Sequence, residues 1–251
     1  MGEALEARGL TLSWEDQVVV EGLSLTVPAG GLACLVGRSG CGKTTVFHAL
    51  AGLTEPDAGQ VLLGGRDVTG RPGQVAYMLQ KDLLLDQRTI VDNVALPLLV
   101  RGMKKAEARE KAAAEFARFG LAGCEGLYPC QLSGGMRQRA ALLRTHLMDC
   151  QAVLMDEPFS ALDALTRNDL RDWLRGMIDE LGLTCMVVTH DVDEAVALAD
   201  DIYVLAGDPA AGRPSRLVGE VPVPAPRADR AEFALSDEAL AIKRRVLKSL
   251  A

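Results

Sequence analysis

Residues 5–27 alternate apolar and polar positions around short turns: Leu10-Thr11-Leu12-Ser13-Trp14, then Val18 to Val20, then Leu23-Ser24-Leu25-Thr26-Val27. That two-residue period predicts a small, half-exposed antiparallel sheet. Pro28-Ala29-Gly30-Gly31 turns the chain into Leu32-Ala33-Cys34-Leu35-Val36, an unbroken apolar run that reads as a buried strand. A helix-compatible segment, Val46 to Leu50, follows a glycine-rich loop. Gln60 to Leu63 and Gln74 to Leu79 predict two more strands, split by a Gly/Asp/Pro-rich loop at 64–73 and closed by the polar break Gln80-Lys81-Asp82. The period then changes. Across 90–100 and 104–119, apolar positions such as Ala112, Ala113, Phe116 and Phe119 recur at helical spacing, which predicts a helical lobe inserted between strands. A helix opening at Leu132-Ser133-Gly134-Gly135 runs through Leu147, with Ser133 as its N-cap. Ala152 to Met155, Thr184 to Val188 and Ile202 to Leu205 read as parallel strands, with a helix at about 164–181 between the first two. The tail predicts a hairpin of Arg216-Leu217-Val218 and Val221-Pro222-Val223, then a closing helix near 236–250.

With 251 residues, the chain is long enough for a sizeable core in one or two lobes. A net charge of −7 argues against a nucleic-acid partner, which usually meets a basic face. Met1-Gly2-Glu3-Ala4-Leu5-Glu6 is acidic and has no apolar core, so no secretory signal is expected. No apolar run approaches the roughly 20 residues that span a bilayer. The six cysteines, at 34, 41, 124, 130, 150 and 185, form no Cys-x-x-Cys pair and read as reduced thiols of a cytosolic protein rather than a zinc site.

The chemistry centres on Gly37-Arg38-Ser39-Gly40-Cys41-Gly42-Lys43-Thr44-Thr45. Placed between a strand and a helix, its glycines let successive backbone N–H groups curl around a polyphosphate. The helix start adds unpaired N–H groups and its positive dipole end. Lys43 would reach the β- and γ-phosphates of a nucleotide, and the Thr44 hydroxyl would ligate Mg²⁺. Cys41, at that helix start and beside Lys43, has the surroundings that lower a thiol pKa, which predicts a reactive thiolate. Asp156 follows an apolar strand, where a second Mg²⁺-holding carboxylate belongs, and Glu157 beside it is placed to polarise a water against the γ-phosphate. His190 lies just past another strand end; its position alone fits a structural or a catalytic role equally. Position alone reads Trp14 as core, or as a surface platform for a base. Ser133 to Met136 is a second anion-binding helix start without a lysine, which predicts that it grips the nucleotide of a second copy in a two-fold dimer.

These motifs together resemble an ATP-binding cassette ATPase over nearly the whole chain. The resemblance reads Gly37 to Thr45 as the Walker A motif and Gln80 as the Q-loop glutamine, a further metal contact. It reads Leu132 to Met136 as the signature motif, contacting ATP across the dimer. Val153 to Glu157 becomes Walker B with its catalytic glutamate, Ser160-Ala161-Leu162-Asp163 the D-loop, and His190 the switch histidine. It also turns Trp14 into the aromatic that stacks on adenine. The fold it implies is α/β: a P-loop NTPase with a RecA-like core, an antiparallel β subdomain and an inserted helical subdomain. The division would put the β subdomain and core at about 1–80 and 151–251, and the helical subdomain at about 81–150.

More finely, Met136 to Thr145 and Phe159 to Arg167 are similar to the nitrate/sulfonate/taurine/bicarbonate branch of importers, which includes transporters of pyrimidine precursors of thiamine. Asp86-Gln87 departs from the Pro-Trp usual there. The resemblance implies an ATP- and Mg²⁺-dependent homodimer on the cytoplasmic face of the inner membrane. Its partners would be an integral permease and, indirectly, a periplasmic or lipid-anchored solute-binding protein. Two rivals are a soluble cassette ATPase of DNA repair or translation and a P-loop protein that only binds nucleotide. The absence of coiled coils and of a basic face weighs against the first, and Glu157 together with His190 against the second.

Overall fold

A computed structural model describes residues 2–160 and 162–250. Strands β1 (Leu5–Trp14) and β2 (Gln17–Val27) form an antiparallel pair from the alternating segment, and β3 (Leu32–Gly37) is the buried run before the glycine loop. Helix α1 (Lys43–Leu50) leads to β4 (Ala58–Leu63), a two-residue β5 (Arg66–Asp67) and β6 (Ala76–Met78). The helical lobe holds α2 (Ile90–Val94), α3 (Leu96–Val100), α4 (Lys105–Ala114) and α5 (Gly134–His146). The chain returns as β7 (Ala152–Asp156), α6 (Ala164–Leu181), β8 (Thr184–Thr189), α7 (Val192–Leu198) and β9 (Asp201–Asp208). It closes with β10 (Arg213–Pro222), α8 (Arg230–Phe233) and α9 (Asp237–Leu250).

The strands run in the order β5-β4-β1-β2-β10-β9-β3-β8-β7-β6. The part from β9 to β6 is parallel, and every residue of β3 and β8 is buried, as a sheet covered on both faces requires. The part from β5 to β2 is antiparallel, and β1 and β2 alternate buried with exposed positions. β10 joins the halves, antiparallel to β9 and parallel to β2 through Ser215 and Val20. One apolar cluster lies under α1 and the antiparallel strands; a second fills the space between the parallel sheet and the helical lobe, where Ala112, Phe116 and Phe119 are fully buried. The sheet thus sets the C-terminal ends of β3, β7 and β8 side by side, where ligands bind in open α/β sheets.

One expectation changes. The tail hairpin of 216–218 with 221–223 is instead one strand, β10, and the true hairpin is β9 with β10 through Pro209–Gly212. Gly219 is absorbed in a register shift between Leu217 and Gly219 and makes no turn. Helix α7 is not assigned from the sequence; Asp191 caps it by accepting from the N–H groups of Asp193 (2.8 Å) and Glu194 (3.2 Å). Among the described residues no helix is long and apolar enough to cross a membrane.

Candidate active site

The loop between β3 and α1 owes its shape to steric limits at its glycines. A Cβ at Gly37 would stand 2.6 Å from Cys41 Sγ and 2.7 Å from the carbonyl oxygen of Leu205 on β9. Gly42 has φ 94°, in the left-handed region, and a Cβ there would meet Val19 at 2.7 Å. Gly42 is also the N-cap of α1 and supplies no side-chain acceptor, so the first-turn N–H groups have no cap side chain among the described residues. Arg38, Ser39 and Gly40 form the exposed rim; Thr44 is exposed and Thr45 half-buried at the helix start. Lys43 is buried, and its Nζ donates to the carbonyl oxygens of Gly37 (2.8 Å) and Arg38 (2.9 Å). The lysine therefore ties the loop closed from beneath.

Cys41 corrects the sequence reading. It is only 1% exposed, and burial pushes its thiol up, outweighing the lowering by Lys43 and by backbone N–H groups. The charge and the helix start are where the sequence puts them, but desolvation is the larger effect. The thiol serves as packing under Gly37.

At the end of β7, Asp156 Oδ2 accepts a hydrogen bond from the Tyr77 hydroxyl at 3.1 Å. Burial raises the carboxyl of Asp156, and the Tyr77 bond offsets part of that rise. Glu157 follows with φ 44°, a left-handed conformation costly for a side chain with a Cβ. Its N–H donates to Val188 O at 2.9 Å, which anchors the turn to β8. One carboxylate oxygen of Glu157, Oε2, accepts from Gln80 Nε2 at 3.2 Å; the other, Oε1, lies 2.9 Å from His190 Nδ1. Gln80 Nε2 also reaches Ser160 Oγ at 3.2 Å, and that hydroxyl donates to Glu157 O at 3.0 Å. Gln80, Glu157, Ser160 and His190, drawn from three separate segments of the chain, thus form one polar network.

Ser133 caps α5 by accepting from Met136 N–H at 3.3 Å. A Cβ on Gly134 would stand 2.9 Å from Leu162, and one on Gly135 3.0 Å from Thr166, so this helix start packs closely on the segment after Ser160. Asp163 caps α6 by accepting from Thr166 N–H at 3.1 Å, and that bonding holds its carboxyl below the usual range. Ala161 of the same segment lies outside the described residues. Among the described residues no hydrogen bond joins 133–136 to 37–45. Trp14, at the end of β1, is 66% exposed, which removes the core reading.

Sequence reasoning passed over three residues. Tyr77 holds Asp156. Asn93, wholly buried, accepts from Leu85 N–H (2.6 Å) and donates to the carbonyl oxygens of Leu85, Arg88 and Thr89, each at 3.1 Å. Arg144 donates to the carbonyl oxygens of Asp82 and Leu83. Asn93 and Arg144 strap the segment after Gln80 to the helical lobe. The partners of Tyr77 and Arg144 are fixed by tertiary contact, 79 and about 61 residues away in the chain, so the one-dimensional pattern carries no signal for them. Leu83 is 51% and Leu85 41% exposed, whereas Leu84 is buried, so two of three consecutive leucines face outward. A groove of about 600 Å³ beside them is lined by residues including Gln80, Asp82, Asp86 and Ser160.

Comparison with known proteins agrees with this geometry. The family described as "ABC transporter" matches residues 20–160. The formylaminopyrimidine import ATP-binding protein ThiZ of Halalkalibacterium halodurans is 43% identical over 194 residues, 77% of this chain and 76% of that protein. The sulfate/thiosulfate import ATP-binding protein CysA of Mycolicibacterium paratuberculosis is 44% identical over 205 residues, covering 80% of this chain and 57% of the relative. The Fe(3+) ions import ATP-binding protein FbpC of Agrobacterium fabrum is 45% identical over 186 residues, covering 73% and 53%. The chain thus spans little more than half the length of the last two. Among solved structures, cbiO1 of Clostridium perfringens, part of the ABC transporter complex cbiONQ, superposes with TM-score 0.79 at 19% identity, over 99% of this chain and 97% of that one. The dimeric ATP-binding cassette MJ0796, bound to ADP and Pi, gives TM-score 0.72 at 24% identity, over 88% and 99%. At these identities the two structures speak for the fold alone. With the family matched over more than half the chain and a relative aligned over three quarters of both partners, this protein belongs to the ABC transporter family.

Proposed function

We propose that this chain is the ATP-hydrolysing subunit of an importer and that its chemistry is carried by Glu157. The supporting observation is the carboxylate held between Gln80 and His190, beside Asp156 and at the same sheet end as the phosphate loop. Lys43 and the loop N–H groups from Gly37 to Thr45 would bind the phosphates of ATP, and Trp14 would carry the adenine. Glu157 would take the proton of the attacking water, with its orientation set by Gln80 and His190. Phosphoryl transfer asks mainly for positioning and charge stabilisation, which a prebuilt polar network supplies without reorganisation.

The oxygen donors fit a hard divalent cation: the exposed Thr44 hydroxyl, the Asp156 carboxylate, and the Gln80 amide oxygen, whose nitrogen is the atom engaged by Glu157 and Ser160. Thr44, Asp156 and Gln80 would hold Mg²⁺, which when bound neutralises charge across the phosphate oxygens. Ser133, Gly134, Gly135 and Met136 would contact the ATP of a second copy, with Ser160 and Asp163 at the shared interface.

The importer assignment rests on the relatives, whose names are those of import ATP-binding proteins. It implies an integral permease, an indirect solute-binding protein and a place on the cytoplasmic face of the membrane. The solute would be a small one: of the nitrate, sulfonate or taurine type, or a pyrimidine precursor of thiamine as ThiZ's name indicates. No observation favours a DNA-repair or translation ATPase.

Glu157→Gln tests the reading. It should retain Mg-ATP binding, lose turnover by at least about a hundredfold, and elute as a dimer with Mg-ATP in gel filtration. Near-normal phosphate release, or a monomer only, would overturn the role of Glu157.

A further inference from the structure

Tyr77 reaches the Asp156 carboxylate from a neighbouring strand. β6 pairs parallel with β7 in the register Tyr77 with Leu154 and Met78 with Met155. Side chains two residues apart on a strand share a face, so Tyr77, Leu154 and Asp156 lie on one side of the sheet. Asp156 is thus the diagonal neighbour of Tyr77, within reach of a long aromatic side chain. The hydroxyl donates to Asp156 Oδ2 at 3.1 Å, and Oδ1 has no hydrogen-bond donor among the described residues.

The ring that carries this hydroxyl is itself fixed. Its centroid lies 6.0 Å from that of Phe47 with planes at 75°, and 5.8 Å from that of His48 at 71°, both edge-on contacts. Phe47 and His48 belong to α1, whose first turn carries Lys43 and Thr44. Tyr77 therefore spans from the helix of the phosphate loop to the carboxylate at the end of β7. It also precedes Gln80 by only three residues.

We propose that Tyr77 is a positioning residue for the divalent cation: it occupies Oδ2 of Asp156, holds the carboxylate in one rotamer, and leaves Oδ1 as the ligand oxygen. This rests on the reading of Asp156 as a metal ligand. A carboxylate freed from its partner has more orientations to lose when the cation binds, and removal of such outer partners weakens metal affinity by about 10–100-fold. The effect falls on metal binding. It leaves untouched the loop N–H groups and Lys43, which would meet the phosphates.

The test titrates a fluorescent ATP analogue onto the full chain in EDTA and again across a Mg²⁺ series, with thermal melting in EDTA as the measure of fold. Tyr77→Phe removes only the hydroxyl and keeps the ring against Phe47 and His48. Its Mg²⁺ midpoint should rise about tenfold, while affinity in EDTA and melting stay at wild-type values. His48→Leu, which keeps the hydroxyl but loosens the ring, should move the midpoint the same way by a smaller factor, and decides the matter if Tyr77→Phe does not fold. An unmoved midpoint in folded Tyr77→Phe overturns the proposal, as does equal weakening with and without Mg²⁺, which marks a structural role. Asp156→Asn separates the two readings. If it shifts the midpoint and Tyr77→Phe does not, only the role of Tyr77 fails; if it shifts nothing, Asp156 is not the ligand.

Discussion

Adding one methyl group at Gly37 should damage both fold and nucleotide binding. Gly37 is the last residue of β3 and pairs in register with Leu205 of β9. The new Cβ would stand 2.7 Å from the Leu205 carbonyl oxygen and 2.6 Å from Cys41 Sγ. Neither neighbour is the far end of a flexible side chain: one is strand backbone, the other a short buried thiol. Overpacking of this kind costs about 1–3 kcal/mol. For a chain of this length each kcal/mol lowers Tm by about 2–4 °C, so Gly37→Ala should melt about 2–12 °C below wild type. The displaced loop should also bind ATP at least about tenfold more weakly, because the Gly37 carbonyl is one of the two that Lys43 holds. Cys41 provides an internal check. Cys41→Ala removes Sγ, and with it one of the two collisions, so the double variant should be less damaged than the sum of the singles. The expected coupling is about 0.5–1.5 kcal/mol. Urea unfolding of the four proteins measures that cycle, and titration of a fluorescent ATP analogue measures binding. Strict additivity, or a single variant that melts with wild type, would refute the packing argument.

Three further outcomes follow from the same geometry. Native protein treated with a maleimide should lose Cys130, the exposed thiol, long before Cys41, and modification of Cys130 alone should leave ATP turnover intact; fast labelling of Cys41, read by peptide mapping, would contradict its burial. Glu194 is buried and its carboxyl is raised mainly by desolvation, so ionisation opposes folding: its contribution is most favourable below the ordinary carboxylate range and is lost as pH rises through the raised value. Glu194→Gln should therefore raise Tm at pH 8 and lose that advantage toward pH 4, which a pH series of melts checks. Asp86→Lys, on the exposed rim of the groove beside Leu83 and Leu85, should leave the ATPase of the free subunit nearly unchanged while weakening permease binding and uptake. Unaltered uptake in membranes carrying the whole complex would reduce Asp86 to a solvated charge.

What the sequence determined by itself was whatever depends on near neighbours. The strand, glycine loop and helix of 32–50 were legible because glycine conformation, a helix start and a lysine act within nine residues, and Ser133 was legible as a cap because its acceptor and donor are three residues apart. Which segments are strands and which are helices followed from period, two in β1 and β2, unbroken apolar runs in β3 and β8, whereas their order in the sheet did not. Position also put Asp156, Glu157 and His190 at strand ends, though not that Glu157 and His190 touch.

Tertiary structure decided the rest, because those properties are sums over groups distant in the chain. The sign of the Cys41 shift turned on burial, which no local charge reveals. The hairpin expected within 216–223 gave way to the pairing of β10 with β9. Trp14 faced outward, and only its placement at the rim of the antiparallel sheet could say so. Tyr77 and Asp156 meet across 79 residues of sequence because β6 and β7 are adjacent strands whose register is set by side-chain packing between layers, a choice made by the folded chain as a whole.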